Sequence, residues 1–261
     1  MVSSPAPAPG RAEVPLTRAA LGRVRPAVAI AAFVTLASVA GTLPAVAVPP
    51  AEIVFDGPSD RRVVALTIDD GYSEETCLRM AAILRRRGAT ATFFPVGSNV
   101  AGHPGVWRSI GRDFPIANHT ANHALLTHLG PVAIVEQVRR ARRILERVVP
   151  DAAVPEFRAP GGALSRQVRR ILTTEGYTRT LLWDATNADT DLDASVGAMV
   201  RAGLRGGPGS IVLMHCNRPI SASALEGIIS GYRVRGYRFV TIRELLGPPP
   251  ARPRPGGAQH R

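Results

Sequence analysis

Two adjacent carboxylates, Asp69 and Asp70, close the apolar run 63–68 and lead into Gly71. Side by side at the end of a strand, such carboxylates repel each other unless a cation or an arginine lies nearby, so the pair asks for positive charge. Their side chains diverge, which lets one bind a metal while the other faces a water. Taken alone, the same residues also suit a solvated turn of the Asp-Asp-Gly type. Further along, His119 and His123 stand four residues apart, a spacing that puts two imidazoles on one face of a helical turn. Paired histidines are often only polar surface or satisfied core groups. Joined by Asp70, however, they make a set of two imidazoles and one carboxylate, which suits a divalent ion and leaves coordination positions open. Zinc is the first expectation for that ion, with cobalt or another divalent metal also accommodated.

For residues so distant in sequence to meet, the chain must bring several loops to one place. Between residues 60 and 246, short apolar runs alternate with segments of helical period, as expected of repeated βα units around a parallel sheet or barrel. The runs predict strands near 63–68, 91–96, 114–117, 154–158, 179–184, 210–215 and 238–242. Helices show in the apolar spacing of Cys77, Met80, Ala81 and Leu84, and of Ile134, Val138, Ala141, Leu145 and Val148. Two more show in Val196, Met199, Val200, Gly203 and Leu204, and in Leu225, Ile228, Ile229 and Tyr232. Ser73, Glu74 and Glu75 make an N-terminal signal for the first helix, and Gly88 marks its end. Asp69 with Asp70, His119 with His123, Arg158, Asp189 and His215 each fall at the end of a predicted strand. In such barrels the strands deliver their following loops to one rim, so these groups would share a pocket.

These residues carry a family resemblance. Thr67-Ile68-Asp69-Asp70-Gly71 resembles the first motif of the polysaccharide deacetylases (NodB homology domain, carbohydrate esterase family 4), and Asn118-His119-Thr120-Ala121-Asn122-His123 resembles their histidine motif. Phe157-Arg158-Ala159-Pro160-Gly161-Gly162 is similar to the third motif, Asp189 to the fourth, and Ile211-Val212-Leu213-Met214-His215 to the fifth; Ala91-Thr92-Phe93-Phe94 through Gly97 adds the second strand. The resemblance spans residues 60–246 in order and implies a distorted (β/α)7 TIM-like barrel. It implies that Asp70, His119 and His123 hold the metal, and that Asp69 is the general base, held by Arg158. His215 becomes the general acid oriented by Asp189. The Gly161 N–H joins the oxyanion contacts, and Leu213 and Pro160 help form the substrate pocket. The chain departs from the pattern at Thr190 and Gly161, where the family has aromatic residues, at Tyr72 for proline and at Ile68 for phenylalanine. The missing aromatics bear on sugar stacking more than on metal chemistry. Trp183 is either a partial substitute or a buried barrel residue. His103 and His128 fit no ligand set and are expected in loops.

The assignment also makes sense chemically. Amide hydrolysis needs an activated water, stabilisation of charge at the carbonyl oxygen and a proton for the leaving nitrogen, and metal, base and acid supply these. A cation beside Asp69 should keep it ionised, and a carboxylate beside His215 should favour the imidazolium. The expected function is removal of acetyl groups from N-acetylated sugars of a polysaccharide, peptidoglycan or a chitin-type glycan. The alternatives are an acetylxylan O-deacetylase, a small-amide amidohydrolase and a non-catalytic carbohydrate-binding relative.

The net charge of +12 comes with arginine as the only basic residue besides histidine. A basic surface attracts anionic polymers, among them cell-wall polymer, but no RNP-like aromatic motif or zinc finger accompanies it, so nucleic acid is not an expected partner. Residues 1–47 carry Arg11, Arg18, Arg23 and Arg25, then an apolar run over 27–43, then Ala45-Val46-Ala47. They read as a signal peptide, with an uncleaved membrane anchor as the alternative. A secreted or envelope-associated location follows, with membrane contact only if the segment stays uncleaved. The catalytic domain is expected over 48–246 and a disordered Pro, Gly and Arg-rich tail over 247–261. Cys77 and Cys216 are expected to be buried and unpaired, with a disulfide bracing the rim as the alternative in an oxidising compartment.

Overall fold

A computed structural model describes residues 48–250. The order is β1 (Glu52–Val54), β2 (Val63–Asp70), α1 (Glu74–Arg86), β3 (Thr92–Pro95), α2 (Gly97–Gly102), α3 (Pro104–Gly111), β4 (Ile116–Asn118), α4 (Pro131–Val148), β5 (Ala153–Phe157) and α5 (Arg166–Thr174). It continues with β6 (Arg179–Leu181), β7 (Ala185–Thr186), α6 (Val196–Gly203), β8 (Ile211–His215), α7 (Pro219–Val234), β9 (Arg238–Phe239) and α8 (Ile242–Leu246). The expected signal peptide or anchor over 1–47 and residues 251–261 of the expected tail lie outside the described residues. Residues 247–250 are tied to the barrel: Arg179 donates to the Gly247 carbonyl at 2.8 Å and Thr178 to the Pro250 carbonyl at 3.1 Å. No helix of the described residues is long and apolar enough to cross a membrane.

The strands pair in parallel in the order β5-β4-β3-β2-β8-β7, with β9 also on β2 and with β1 paired to β6 alone. The result is a distorted α/β barrel. Period-two alternation sorts each strand's side chains. On β2, Val63 and Ala65 face an inner cluster with Phe94, Ala117, Leu181 and Ile211. Val64, Leu66 and Ile68 face the opposite way, into an outer core with Met80, Leu84, Met214 and Leu225. Asp69 continues the inward series and so reaches the mouth on the barrel side.

Two expected strands change form: the run 179–184 keeps only β6, with β7 a separate strand after Leu182, Trp183 and Asp184, and the run 238–242 keeps only β9 before α8 begins at Ile242; β1 is an added strand. The seam between β5 and β6 is bridged by side chains, with Thr180 donating to the Phe157 carbonyl at 3.4 Å and Arg158 to the Leu181 carbonyl at 3.2 Å. The α1 helix starts where its signal predicts: the Ser73 hydroxyl accepts the Thr76 N–H, and Glu74 and Glu75 occupy the first turn. In α4 the buried residues are the predicted stripe, Ile134 to Val148.

The expectation of two free thiols is corrected, because Cys77 and Cys216 form a disulfide across 139 residues of sequence. The reason is register. Asp69 pairs with His215 across β2 and β8, so the residue after His215 meets the start of α1. A cross-link closing so long a loop removes much unfolded-state entropy. Replacing both cysteines by alanine is expected to lower unfolding free energy by about 2–5 kcal/mol in denaturant titration. No change in midpoint would mean that the bond contributes nothing.

Candidate active site

At the mouth, Asp69 and Asp70 turn to different partners, as their adjacency predicts. Arg158 is fully buried and donates to Asp69 Oδ1 at 2.7 Å and to Thr67 Oγ1 at 2.9 Å. Its other nitrogens donate to the carbonyls of Leu181 and Leu182, and the guanidinium lies 4.5 Å from the centre of the Phe94 ring. A buried ion pair is tolerable only with such full satisfaction of its hydrogen bonds. The arginine therefore fixes one oxygen of Asp69, while Oδ2 points across the mouth, 3.8 Å from His119 Nε2.

Asp70 leaves the strand in a left-handed conformation (φ 73°), and Gly71 follows at φ 82°, where an added Cβ would meet Trp107 at 2.4 Å. Asp70 Oδ2 accepts the Asn217 amide at 2.7 Å. Its Oδ1 lies 3.3 Å from His119 Nε2 and 3.2 Å from His123 Nε2. His119 Nδ1 lies 2.9 Å from the Arg158 carbonyl, which can only accept, so Nδ1 carries the hydrogen. In the neutral ring, Nε2 then presents a lone pair toward a carboxylate oxygen that is itself buried without a hydrogen-bond partner. Three ligand atoms within 4.8 Å of one another, with electron pairs converging, repel unless a cation lies among them. The residues therefore fit a divalent ion. Burial opposes ionisation of Asp70, whereas donors facing it, imidazolium forms of His119 and His123 in the absence of an ion and the Asn217 amide, hold the carboxyl well below the usual range.

The histidines do not meet on a helical turn. Residues 119–125 form an irregular loop with left-handed Thr120 (φ 66°) and His123 (φ 62°). Side chains satisfy its backbone in place of a helix. Asn118 Oδ1 accepts the Thr120 N–H at 2.9 Å, and Gln137 Oε1 accepts those of Ala121 and Asn122 at 3.1 and 3.2 Å. Such non-glycine conformations cost about 1–3 kcal/mol each and persist where surroundings impose them, typically at functional sites. The fourth case, Ala188 (φ 56°), precedes Asp189.

Asp189 grips His215 twice: Oδ1 accepts from Nδ1 at 2.7 Å and Oδ2 accepts the backbone N–H at 2.8 Å. Nε2 is left for chemistry. Burial lowers the His215 pKa, but the hydrogen bond to Asp189 and the charges of Asp69, Asp189 and Asp70 outweigh it and raise the value above 6.5. Asp189 in turn is lowered, the His215 contacts overcoming its burial. Arg218 donates to the carbonyls of Asp189, Asp191 and Leu192 and so holds the following loop.

Of the remaining sequence candidates, Leu213 and Pro160 are buried, and Gly161 turns in the left-handed region (φ 61°) just after Arg158. Trp183 is a half-buried barrel residue packed on the inner cluster, 5.7 Å from the Arg158 guanidinium. Tyr72 is the exposed ring here, edge-on to His123 at 6.1 Å between centroids. His103 pairs with Glu74 at 2.8 Å, and His128 sits in a short 3-10 turn rather than an open loop. Asn217, Arg218 and Gln137 carried no signal in the sequence, and Asn118 entered only as the first residue of the histidine motif. A cavity of about 340 Å³ lined by Arg142, Leu145, Pro150 and Tyr177 contains none of the converging groups, so its size does not mark the chemistry.

An α/β barrel with a carboxylate–imidazole triad, a second buried carboxylate and an Asp–His pair at one mouth defines a class of hydrolytic enzymes that can combine a metal with acid–base groups. The chain is similar to the polysaccharide deacetylase family, whose model matches residues 56–180. That stretch holds Asp69, Asp70, His119, His123 and Arg158; Asp189 and His215 follow it. A peptidoglycan-N-acetylglucosamine deacetylase of Bacillus cereus is 28% identical over 204 residues, covering 76% of this chain and 94% of the relative. Among solved structures, the Bc1960 peptidoglycan N-acetylglucosamine deacetylase superposes with a TM-score of 0.72 at 26% identity, over 78% of this chain and 96% of that one. A family 4 pseudoenzyme from Bacillus anthracis gives 0.69 at 25% identity, over 74% and 68%. The fold is thus shared by active and inactive relatives, and the site must decide between them.

Proposed function

We propose that this protein is a metal-dependent hydrolase that removes acetyl groups from N-acetylated sugars of a wall glycan, with peptidoglycan as the first substrate class and chitin-type glycan as the second. The reading rests on one observation: Asp70 Oδ1, His119 Nε2 and His123 Nε2 converge beside a second carboxylate, Asp69. A divalent cation held by these three side chains, zinc first, supplies Lewis-acid polarisation of the acetyl carbonyl and acidifies a water. Asp69 accepts the proton of the attacking water at Oδ2, since Arg158 occupies Oδ1. His215, oriented by Asp189, gives a proton from Nε2 to the leaving nitrogen. The Gly161 N–H donates to the developing oxyanion, while Leu213 and Pro160 wall the acetyl pocket. The protein works outside the cytoplasm, with residues 1–47 acting as export signal or anchor; the wall-glycan activity of the relatives supports that place.

The likeness to a pseudoenzyme supports a second reading, a non-catalytic carbohydrate-binding relative. The retained acid, base and ligand groups favour the enzyme. Acetate release from N-acetylated peptidoglycan, chitin oligosaccharides and acetylxylan, measured with chelator and after adding zinc back, tests both. We expect release from peptidoglycan that chelator stops and zinc restores. Silence on every substrate with metal bound would favour the binding protein, and release from acetylxylan alone would move the activity to O-acetyl esters.

A further inference from the structure

We propose that Asn217 is a positioning residue that sets the metal-facing orientation of Asp70, with the Cys77–Cys216 disulfide anchoring its backbone; this rests on reading Asp70, His119 and His123 as a metal triad. The terminal torsion of a carboxylate is soft, with broad and nearly equivalent orientations. A ligand that must offer one oxygen to an ion therefore needs its other oxygen tied. At Asp70 the tie is the 2.7 Å bond from Asn217 Nδ2 to Oδ2, which leaves Oδ1 turned to the two imidazoles.

The Asn217 amide is itself oriented without ambiguity. The Tyr72 backbone N–H, which can only donate, points to Asn217 Oδ1 at 3.2 Å, so the NH2 group must face the carboxylate. One planar amide thus links Asp70 to the turn that follows it. The chemistry at this position is narrow: a lysine would add a cation beside a cation site, and an aspartate would set a third carboxylate against Asp70. Asparagine offers a neutral donor and a neutral acceptor in one plane.

The residue carrying that amide is fixed through its neighbour. The Cys216 N–H donates to the Asp69 carbonyl and the Ser73 N–H to the Cys216 carbonyl, each at 3.3 Å, while the side chain is bonded to Cys77 on α1. Both arms of the site, the Asp69-Asp70 turn and the end of β8, are therefore locked together one residue away from Asn217. The backbone carbonyl of Asp70 is separately held by the Val96 N–H at 2.9 Å and the Asn99 amide at 3.0 Å. With the main chain fixed by those groups, the carboxylate plane is what Asn217 governs. Hydrogen-bond partners of metal ligands typically change metal affinity about 10–100-fold when removed.

The test is a metal titration of the full-length, metal-free protein with Zn2+ in competition with a chromophoric chelator, on wild type, N217L, N217A and a H119A control. Leucine keeps the branched shape and removes both hydrogen bonds; alanine guards against crowding or misfolding in the larger leucine variant. We expect the dissociation constant to rise about 10–100-fold in both Asn217 variants, with the melting temperature of the metal-free protein moving much less than that of the metal-loaded protein. Wild-type affinity in both variants would overturn the proposal. So would an equal loss of melting temperature with and without metal, since that describes a turn staple and not a ligand orienter. A wild-type protein that takes up no Zn2+, like H119A, would instead remove the metal reading on which the proposal rests.

Discussion

Asp69→Asn is expected to fold, to hold metal and to release acetate about 10²–10⁴-fold more slowly than wild type. The substitution is isosteric, so an oxygen remains to accept from Arg158, which donates to Asp69 at 2.7 Å in the wild type. What disappears is a basic oxygen at the position facing the mouth. An amide cannot accept a proton at that atom, and the attacking water loses its base. The proposed metal ligands are untouched, because Asp69 is not among the three groups within 4.8 Å of one another. Truncating one partner of a buried pair costs about 3–5 kcal/mol; asparagine keeps the acceptor and loses only the charge, so the cost should fall below that range. Three measurements separate the possibilities: kcat, metal content per chain, and melting temperature. Full activity would remove Asp69 from the base role, and loss of metal along with activity would make it a ligand.

The ease of reading this site from sequence varied with how local its geometry is. The Asp69-Asp70 pair and the α1 and α4 stripes depend on local spacing alone and appear as that spacing predicts, whereas the outer and inner sorting of β2 does not show in its continuous apolar run. The histidine pair was legible by residue type but not by shape. Its two left-handed residues are imposed by Asn118 and Gln137, the latter from a helix that follows the loop in sequence. Asn217 was invisible because it depends on the register that sets Asp69 opposite His215. The same register explains the disulfide. Sequence spacing across 139 residues says nothing about distance, whereas one parallel pairing brings the two cysteines together. The break after β6, which ends the run 179–184 at Leu181, has a similar origin. Asp184 turns its carboxylate to the Ser210 hydroxyl at 2.6 Å and the Ile211 N–H at 2.8 Å, which trades strand continuity for a connection to β8.

Asp189→Asn is expected to slow acetate release about 10²–10⁴-fold, through its effect on His215 as acid, and to move the alkaline limb of the pH profile toward lower pH. In the wild type, the hydrogen bond to Asp189 and the surrounding carboxylates raise the His215 pKa above 6.5 against the effect of burial. The imidazolium that the proposed mechanism uses as acid therefore survives to higher pH than in a free histidine. Neutralising Asp189 removes the largest favourable contribution, the pKa falls, and donation fails at a lower pH. The amide also has a donor and an acceptor where the carboxylate had two acceptors for the His215 Nδ1–H and backbone N–H. One of those bonds must be lost or the ring must change tautomer. Linkage gives the variant a second signature. Because the His215 pKa is raised on folding, its contribution to stability is complete below the unfolded value of 6.5 and is lost as pH rises through the folded value. Because the Asp189 pKa is lowered, its contribution is complete above 3.8 and is lost as pH falls through the folded value. The stability difference between wild type and variant should then be greatest between 3.8 and 6.5 and shrink on either side. Denaturant midpoints across that range, set beside kcat/KM profiles of both proteins, check the two effects together. An alkaline limb that stays in place in Asp189→Asn would mean that His215 is not the group whose deprotonation ends activity, and the acid would have to be sought elsewhere at the mouth.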